Sequence, residues 1–124
     1  MNFRLKTSRE TAEKLKTLQS HTGLTWNVLC RLAIALSLKE ADMPPVVTNT
    51  FGVEIHRNTL TGEHDAVYKA LIQQHALQTI REEDYFPDLF NQHIERGIRL
   101  LESEYQLLGS YDKLLISLLN VEGR

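Results

Sequence analysis

Residues 26–39 read as a helix with almost no polar side. Trp26, Val28, Leu29, Cys30, Leu32, Ala33, Ile34, Ala35, Leu36 and Leu38 occupy nearly every direction around its axis. Such a helix must be enclosed on most sides. A chain of 124 residues buries only a modest core, so part of that enclosure is expected from a second subunit.

The segment before it has its own pattern. Asn2, Phe3, Arg4, Leu5 and Lys6 alternate, with Phe3 and Leu5 on one face and Asn2, Arg4 and Lys6 on the other. That is the period of a strand. So short a strand needs a partner, and no nearby hairpin turn offers one. A second copy of the chain is the cheapest source. Thr7-Ser8-Arg9-Glu10 fits a capping box, with Thr7 as N-cap and Glu10 at N3. It opens a helix from Ser8 to His21 with a thin stripe of Ala12, Leu15 and Leu18. Gly23 suits the left-handed position after a helix, and Thr25 suits the next N-cap. Pro44 and Pro45 then force an extended exit.

Downstream, Phe51, Val53 and Ile55 alternate with polar residues and predict a short strand at about 51–57, followed by a turn from Asn58 to Gly62. A helical pattern runs from Glu63 to about Glu83, with Val67, Ala70, Leu71, Gln74, Leu77 and Ile80 on one face. Pro87 marks a helix start, and a stripe from Leu89 and Phe90 through Ile94, Ile98, Leu101 and Tyr105 continues to Leu108. Gly109-Ser110 breaks it before a final short helix with Tyr111, Leu114, Leu115, Leu118 and Leu119. The expected organisation is an N-terminal unit at 1–40, an extended connector at 41–62 and a helical extension at 63–124, packed as one domain. The fold class is mainly α.

Charge is distributed unevenly. Residues 1–39 carry Arg4, Lys6, Arg9, Lys14, Lys16, Arg31 and Lys39 against Glu10 and Glu13, a net +5, while residues 40–124 sum to −7. A basic end on an acidic body suggests a polyanion partner, although on charge alone a solvated helix face is the better reading. No apolar run is long enough for a membrane span, and the N-terminus lacks the apolar core of a secretory signal. One cysteine, placed in the apolar helix as a small hydrophobe, fits a cytoplasmic location.

Signals for catalysis are weak. Glu54 and His56 share a strand face, with Glu63, His64 and Asp65 soon after, and a metal-dependent hydrolase built on Glu54, His56 and Asp65 is one conceivable reading. Their spacing matches no ligand motif, and a polar cluster around a turn explains them better. His21, His56, His64, His75 and His93 are scattered singly. There is no Gly-rich phosphate loop. The expectation is a protein that is not an enzyme and uses no cofactor or metal.

Strand, helix, Gly turn and helix within forty residues is the pattern of ribbon-helix-helix proteins. Two chains pair their strands into a ribbon that fits the major groove. Asn2, Arg4 and Lys6 would then face the bases, and Phe3 and Leu5 the helices. The N-terminus of the second helix, Thr25 to Asn27, offers N–H groups to a phosphate. Arg9, Lys14, Lys16 and Arg31 would add phosphate contacts. A plain helical hairpin with a basic N-terminus is the competing reading.

The stretches GLTWNVLCRLAIALSL (23–38) and FGVEIHRNTLTGEHDAVYKALI (51–72), with the acidic helical half that follows, resemble the DNA sulfur modification protein DndE family. The resemblance implies a small accessory protein of the DNA phosphorothioation machinery. It implies a ribbon-helix-helix-like homo-oligomer, a dimer or tetramer, that binds duplex or nicked DNA. It also implies work beside a cysteine desulfurase and other sulfur modification proteins, which carry the sulfur chemistry. No iron–sulfur cysteine cluster contradicts that. A ribbon-helix-helix repressor or antitoxin, and a protein-interaction scaffold, are the alternatives. The long acidic extension fits a repressor poorly.

Overall fold

The computed structural model describes residues 3–108, together with 113, 116 and 119. It is mainly helical, with one two-stranded sheet. The order is β1 (Arg4–Lys6), α1 (Arg9–Thr22), α2 (Trp26–Leu38), β2 (Glu54–His56), α3 (Arg57–Thr61), a 3₁₀ turn (Gly62–His64), α4 (Asp65–Ala76) and α5 (Phe90–Leu108).

The expected strand forms, but its partner comes from the same chain. β1 pairs antiparallel with β2, placing Arg4 opposite His56, Leu5 opposite Ile55 and Lys6 opposite Glu54. The connector containing Pro44 and Pro45 carries the chain back to β1. The ladder continues at both ends, from Thr7 N–H to Val53 O and from Arg57 N–H to Phe3 O. In an antiparallel pair, alternate residues point their backbone groups to opposite edges. Phe3, Leu5 and Thr7 therefore face β2, and Lys6 faces the other edge. There Asn91 Nδ2 donates to Lys6 O at 2.9 Å. The ribbon thus forms inside one chain, and α5 already reaches its second edge. Leu5 is 1% exposed, whereas Phe3 is 62% exposed and does not face the helices as expected. It sits at the open end of the ladder.

Helix α1 begins one residue later than expected. Ser8, not Thr7, is the N-cap, accepting from Thr11 N–H at 3.1 Å. Thr7 is used by the ribbon instead, its Oγ1 accepting from Val53 N–H. Gly23 ends α1 as expected, at φ 75°, donating its N–H to Gln19 O.

Helix α2 finds much of its enclosure in α5 of the same chain. Leu29, Cys30, Ala33 and Ile34 are buried, as are Ile94, Ile98 and Leu101 of α5. Each such aliphatic side chain contributes about 1.5–3 kcal/mol by leaving water. The helices approach so closely that a Cβ on Gly97 would lie 1.9 Å from Ala33 O. Gly97 is thus the position that lets α5 lie against the α2 backbone.

Two boundaries differ from expectation in the second half. The turn expected at Asn58–Gly62 is mostly the short helix α3. Helix α4 stops at Ala76, where Leu77 turns left-handed at φ 59°. No glycine marks that stop, so periodicity alone ran past it. Residues Asp84–Leu89 are helical apart from a kink at Phe86, whose backbone is extended, so a helix restarts at Pro87 as expected and runs on into α5. The break at Gly109-Ser110 and most of the last predicted helix lie outside the described residues. Lys113, Ile116 and Leu119 are helical and exposed.

Candidate nucleic-acid interface

The ribbon buries Leu5 and Ile55 on its inner face. Its outer face therefore carries Arg4 and Lys6 from β1 and Glu54 and His56 from β2. Arg4 lies 3.5 Å from Glu54, and both side chains are exposed, so the pair contributes little. Lys6 is exposed. Asn2 lies outside the described residues.

On α1, Arg9 and Lys16 are seven residues apart and share one exposed helix face. Lys14 points elsewhere. Its Nζ donates to Glu102 of α5 at 2.6 Å, and both side chains are partly buried. Arg31 is also committed: its Nε donates to Leu60 O and its Nη2 to Thr59 O, closing the end of α3 onto α2. Thr25 Oγ1 donates to Asn27 Oδ1, and the first turn of α2 has no side-chain cap. Among the described residues, Lys6, Arg9 and Lys16 are the predicted cations that are exposed and whose side chains form neither a salt bridge nor a hydrogen bond, although Arg9, after hydrogen bonds from backbone and from Asn49, helps hold the neighbouring Glu10 carboxyl low.

The structure also takes several charged residues out of consideration as working groups. Arg57 is buried with its guanidinium on Asp65 and Glu82, both at 2.6 Å from Nη2, and over the Tyr85 and Phe86 rings. Hydrogen bonding from Arg57 holds the Asp65 carboxyl below its usual range. At Glu82, burial pulls upward, but hydrogen bonds from Arg57 and Lys69 outweigh it and lower the pKa. Asp65 is therefore tied to Arg57, while Glu54 and His56 face outward on the ribbon. The three do not converge into a hydrolytic centre. No group of three or more His, Cys, Asp or Glu among the described residues could hold a metal.

A second buried network joins α2 to α5. Arg96 donates to Ser37 Oγ and Ser37 O and reaches Asp42, while Ser37 Oγ meets His93 Nδ1 at 2.8 Å. Burial, then His75 and Arg96, press the His93 pKa down to about 4. Burial likewise pushes the Cys30 thiol up to about 12, so it stays protonated and enclosed.

One surface feature was missed from sequence. Arg99 is exposed on α5 and, with Lys14, Glu10 and Glu95, lines a cavity of about 270 Å³ at the start of α1. Nothing in the α5 stripe distinguishes Arg99 from an ordinary solvated arginine.

Residues 4–109 match the family model described as DNA sulphur modification protein DndE. The chain belongs to the DndE family. Its fold is similar to the crystal structure of DndE from Escherichia coli B7A, described as involved in DNA phosphorothioation modification. That likeness has a TM-score of 0.65 at 24% identity and covers 79% of this chain and 96% of that one. It is also similar to a glycine-to-lysine DndE variant described as involved in DNA phosphorothioation, with a TM-score of 0.64 at 22% identity over 83% of this chain and 99% of that one. At these identities the solved DndE structures show the fold alone. No curated protein matches the chain. No helix among the described residues is long and apolar enough to cross a membrane.

Proposed function

We propose that this DndE-family chain is a non-enzymatic DNA-binding accessory protein of a DNA phosphorothioation system. The observation that carries the reading is the exposed set Lys6, Arg9 and Lys16, cations that form no salt bridge among the described residues of a chain that is acidic overall. A polyphosphate backbone gives them a partner.

In this reading the outer ribbon face meets DNA as the ribbon of a ribbon-helix-helix protein does, with β2 in place of a second chain's strand. Arg4 leaves Glu54 for a phosphate or base edge, and Asn2, outside the described residues, belongs to the proposed contact set. The uncapped first turn of α2, at Thr25 and Asn27, offers a further phosphate contact. Lys14 and Arg31 hold the fold and drop out of the contact set. Homo-oligomerisation to a dimer or tetramer belongs to the same reading. It is supported by apolar side chains left in solvent at Leu107, Ile116 and Leu119. Docking on other DNA sulfur modification proteins and a cytoplasmic location are part of the same proposal.

Anisotropy titrations against intact, nicked and single-stranded oligonucleotides, from low to physiological salt, test it. Binding should weaken steeply with salt, with a log–log slope of about −0.9 for each phosphate neutralised on duplex. Absence of binding to all three at low salt would remove the reading.

A further inference from the structure

Beside the outer ribbon face lies an open cavity of about 390 Å³, lined by Gln19, Trp26, Asn27, Glu54, His56 and Thr59 among others. We infer that it receives one unpaired nucleobase from a DNA strand whose phosphates lie along Arg4 and Lys6. The inference rests on the DNA-binding reading above and adds a base site to it.

The lining chemistry selects the ligand. Trp26 and His56 bring aromatic surface, the material on which bases stack regardless of sequence. The Trp26 indole N–H is buried, with no acceptor among the described residues, so Trp26 offers the ligand its ring rather than a hydrogen bond. Asn27 has its oxygen taken by Thr25, which leaves its amide N–H₂ to donate. Gln19 adds a second amide. These groups match the mixed donor and acceptor edge of a base. Glu54 rules against an anion inside the cavity, because a phosphate there would meet a carboxylate. The same carboxylate accepts from the exocyclic amino group of a base.

The cations lie just outside. His56 is the cross-strand neighbour of Arg4, and Glu54 that of Lys6, all on one sheet face. A hydrogen-bonding cavity with one carboxylate in its lining, flanked by exposed cations, suits a nucleotide, with base inward and phosphate on the ribbon. A base stacked and paired within a duplex cannot enter such a recess, so the ligand is a base at a strand end, nick or single-stranded stretch.

Trp26 is the only tryptophan, so its emission reports on the cavity directly. The test compares a single-stranded DNA oligomer with an abasic oligomer of equal length and phosphate number. The base-bearing strand should bind at least about fivefold more tightly and quench Trp26. In the double variant His56→Ala, Gln19→Ala the two strands should bind alike. Equal binding of both strands to the unmodified protein, with Trp26 emission unmoved, would overturn the base site and leave DNA binding standing. Failure of both strands and of duplex to bind would overturn the two together.

Discussion

Glu95 accepts the backbone N–H of Ser8 at 3.0 Å and the Ser8 hydroxyl at 2.6 Å, across 87 residues of sequence. In a capping box the N3 side chain does this for the N-cap residue of its own helix. Here a carboxylate on α5 takes that role for α1. It also sets a negative charge at the positive end of the α1 dipole. The contact therefore fixes the position of α1, with Arg9 and Lys16, relative to the α5 core.

Substituting either partner should loosen the whole N-terminal unit. Glu95→Ala leaves a buried N–H without an acceptor and is expected to cost about 1–3 kcal/mol. Ser8→Ala should cost about 1 kcal/mol from the lost cap alone, with more from the lost carboxylate contact. In urea unfolding the double variant should lose less than the two single losses added together. Strict additivity would mean that the contact carries no coupling.

The α2–α5 crossing gives a sharper test. Gly97→Ala places a methyl 1.9 Å from Ala33 O, and backbone cannot swing aside as a side chain does. A loss of at least about 1–3 kcal/mol is expected, read as a lower urea midpoint. An alanine variant as stable as the parent would show that the helices do not pack this closely.

His93 sets a pH window. Its folded pKa lies at about 4 against an ordinary 6.5. Above pH 6.5 the imidazole is neutral in both states and contributes no pH dependence. As pH falls below 6.5 the unfolded chain takes up a proton that the folded chain refuses, so stability drops until about pH 4. The full effect is about 3 kcal/mol. Asp65 and Glu82 have lowered pKa values, so their contribution is lost only at still lower pH, below their ordinary values of 3.8 and 4.5. Unfolding free energies measured between pH 7 and 5 should slope downward toward acid, and His93→Gln should flatten that slope. A flat profile in the parent would show that His93 protonates freely in the fold.

Much of this was legible in the sequence because it is local. Alternation over Arg4–Lys6, the left-handed Gly23 and the apolar run of α2 each follow from residues within one turn or one strand. What was not legible is who partners whom at long range. Nothing near β1 announces that Glu54–His56 will pair with it, and an unpaired strand naturally suggests a second chain. The α5 stripe shows which face is apolar, but not that His93, Glu95 and Arg96 are buried beside it with partners on α1 and α2. The same gap misled the charge reading. Lys14 and Arg31 look like any surface cations until Glu102 and the α3 carbonyls reach them. Leu77 hides the end of α4 because left-handed leucine has no sequence signature.

The central claim is that Lys6, Arg9 and Lys16 meet DNA phosphates while Lys14 holds the fold. The most direct measurement is the salt dependence of duplex binding in the triple variant Lys6→Gln, Arg9→Gln, Lys16→Gln beside Lys14→Gln. The triple variant should bind more weakly, and its log–log salt slope should shrink by about 0.9 per lost contact, close to 3 in all. Lys14→Gln should lower stability and leave the slope unchanged. A triple variant with the parent slope, or a slope that falls only in Lys14→Gln, would contradict the account.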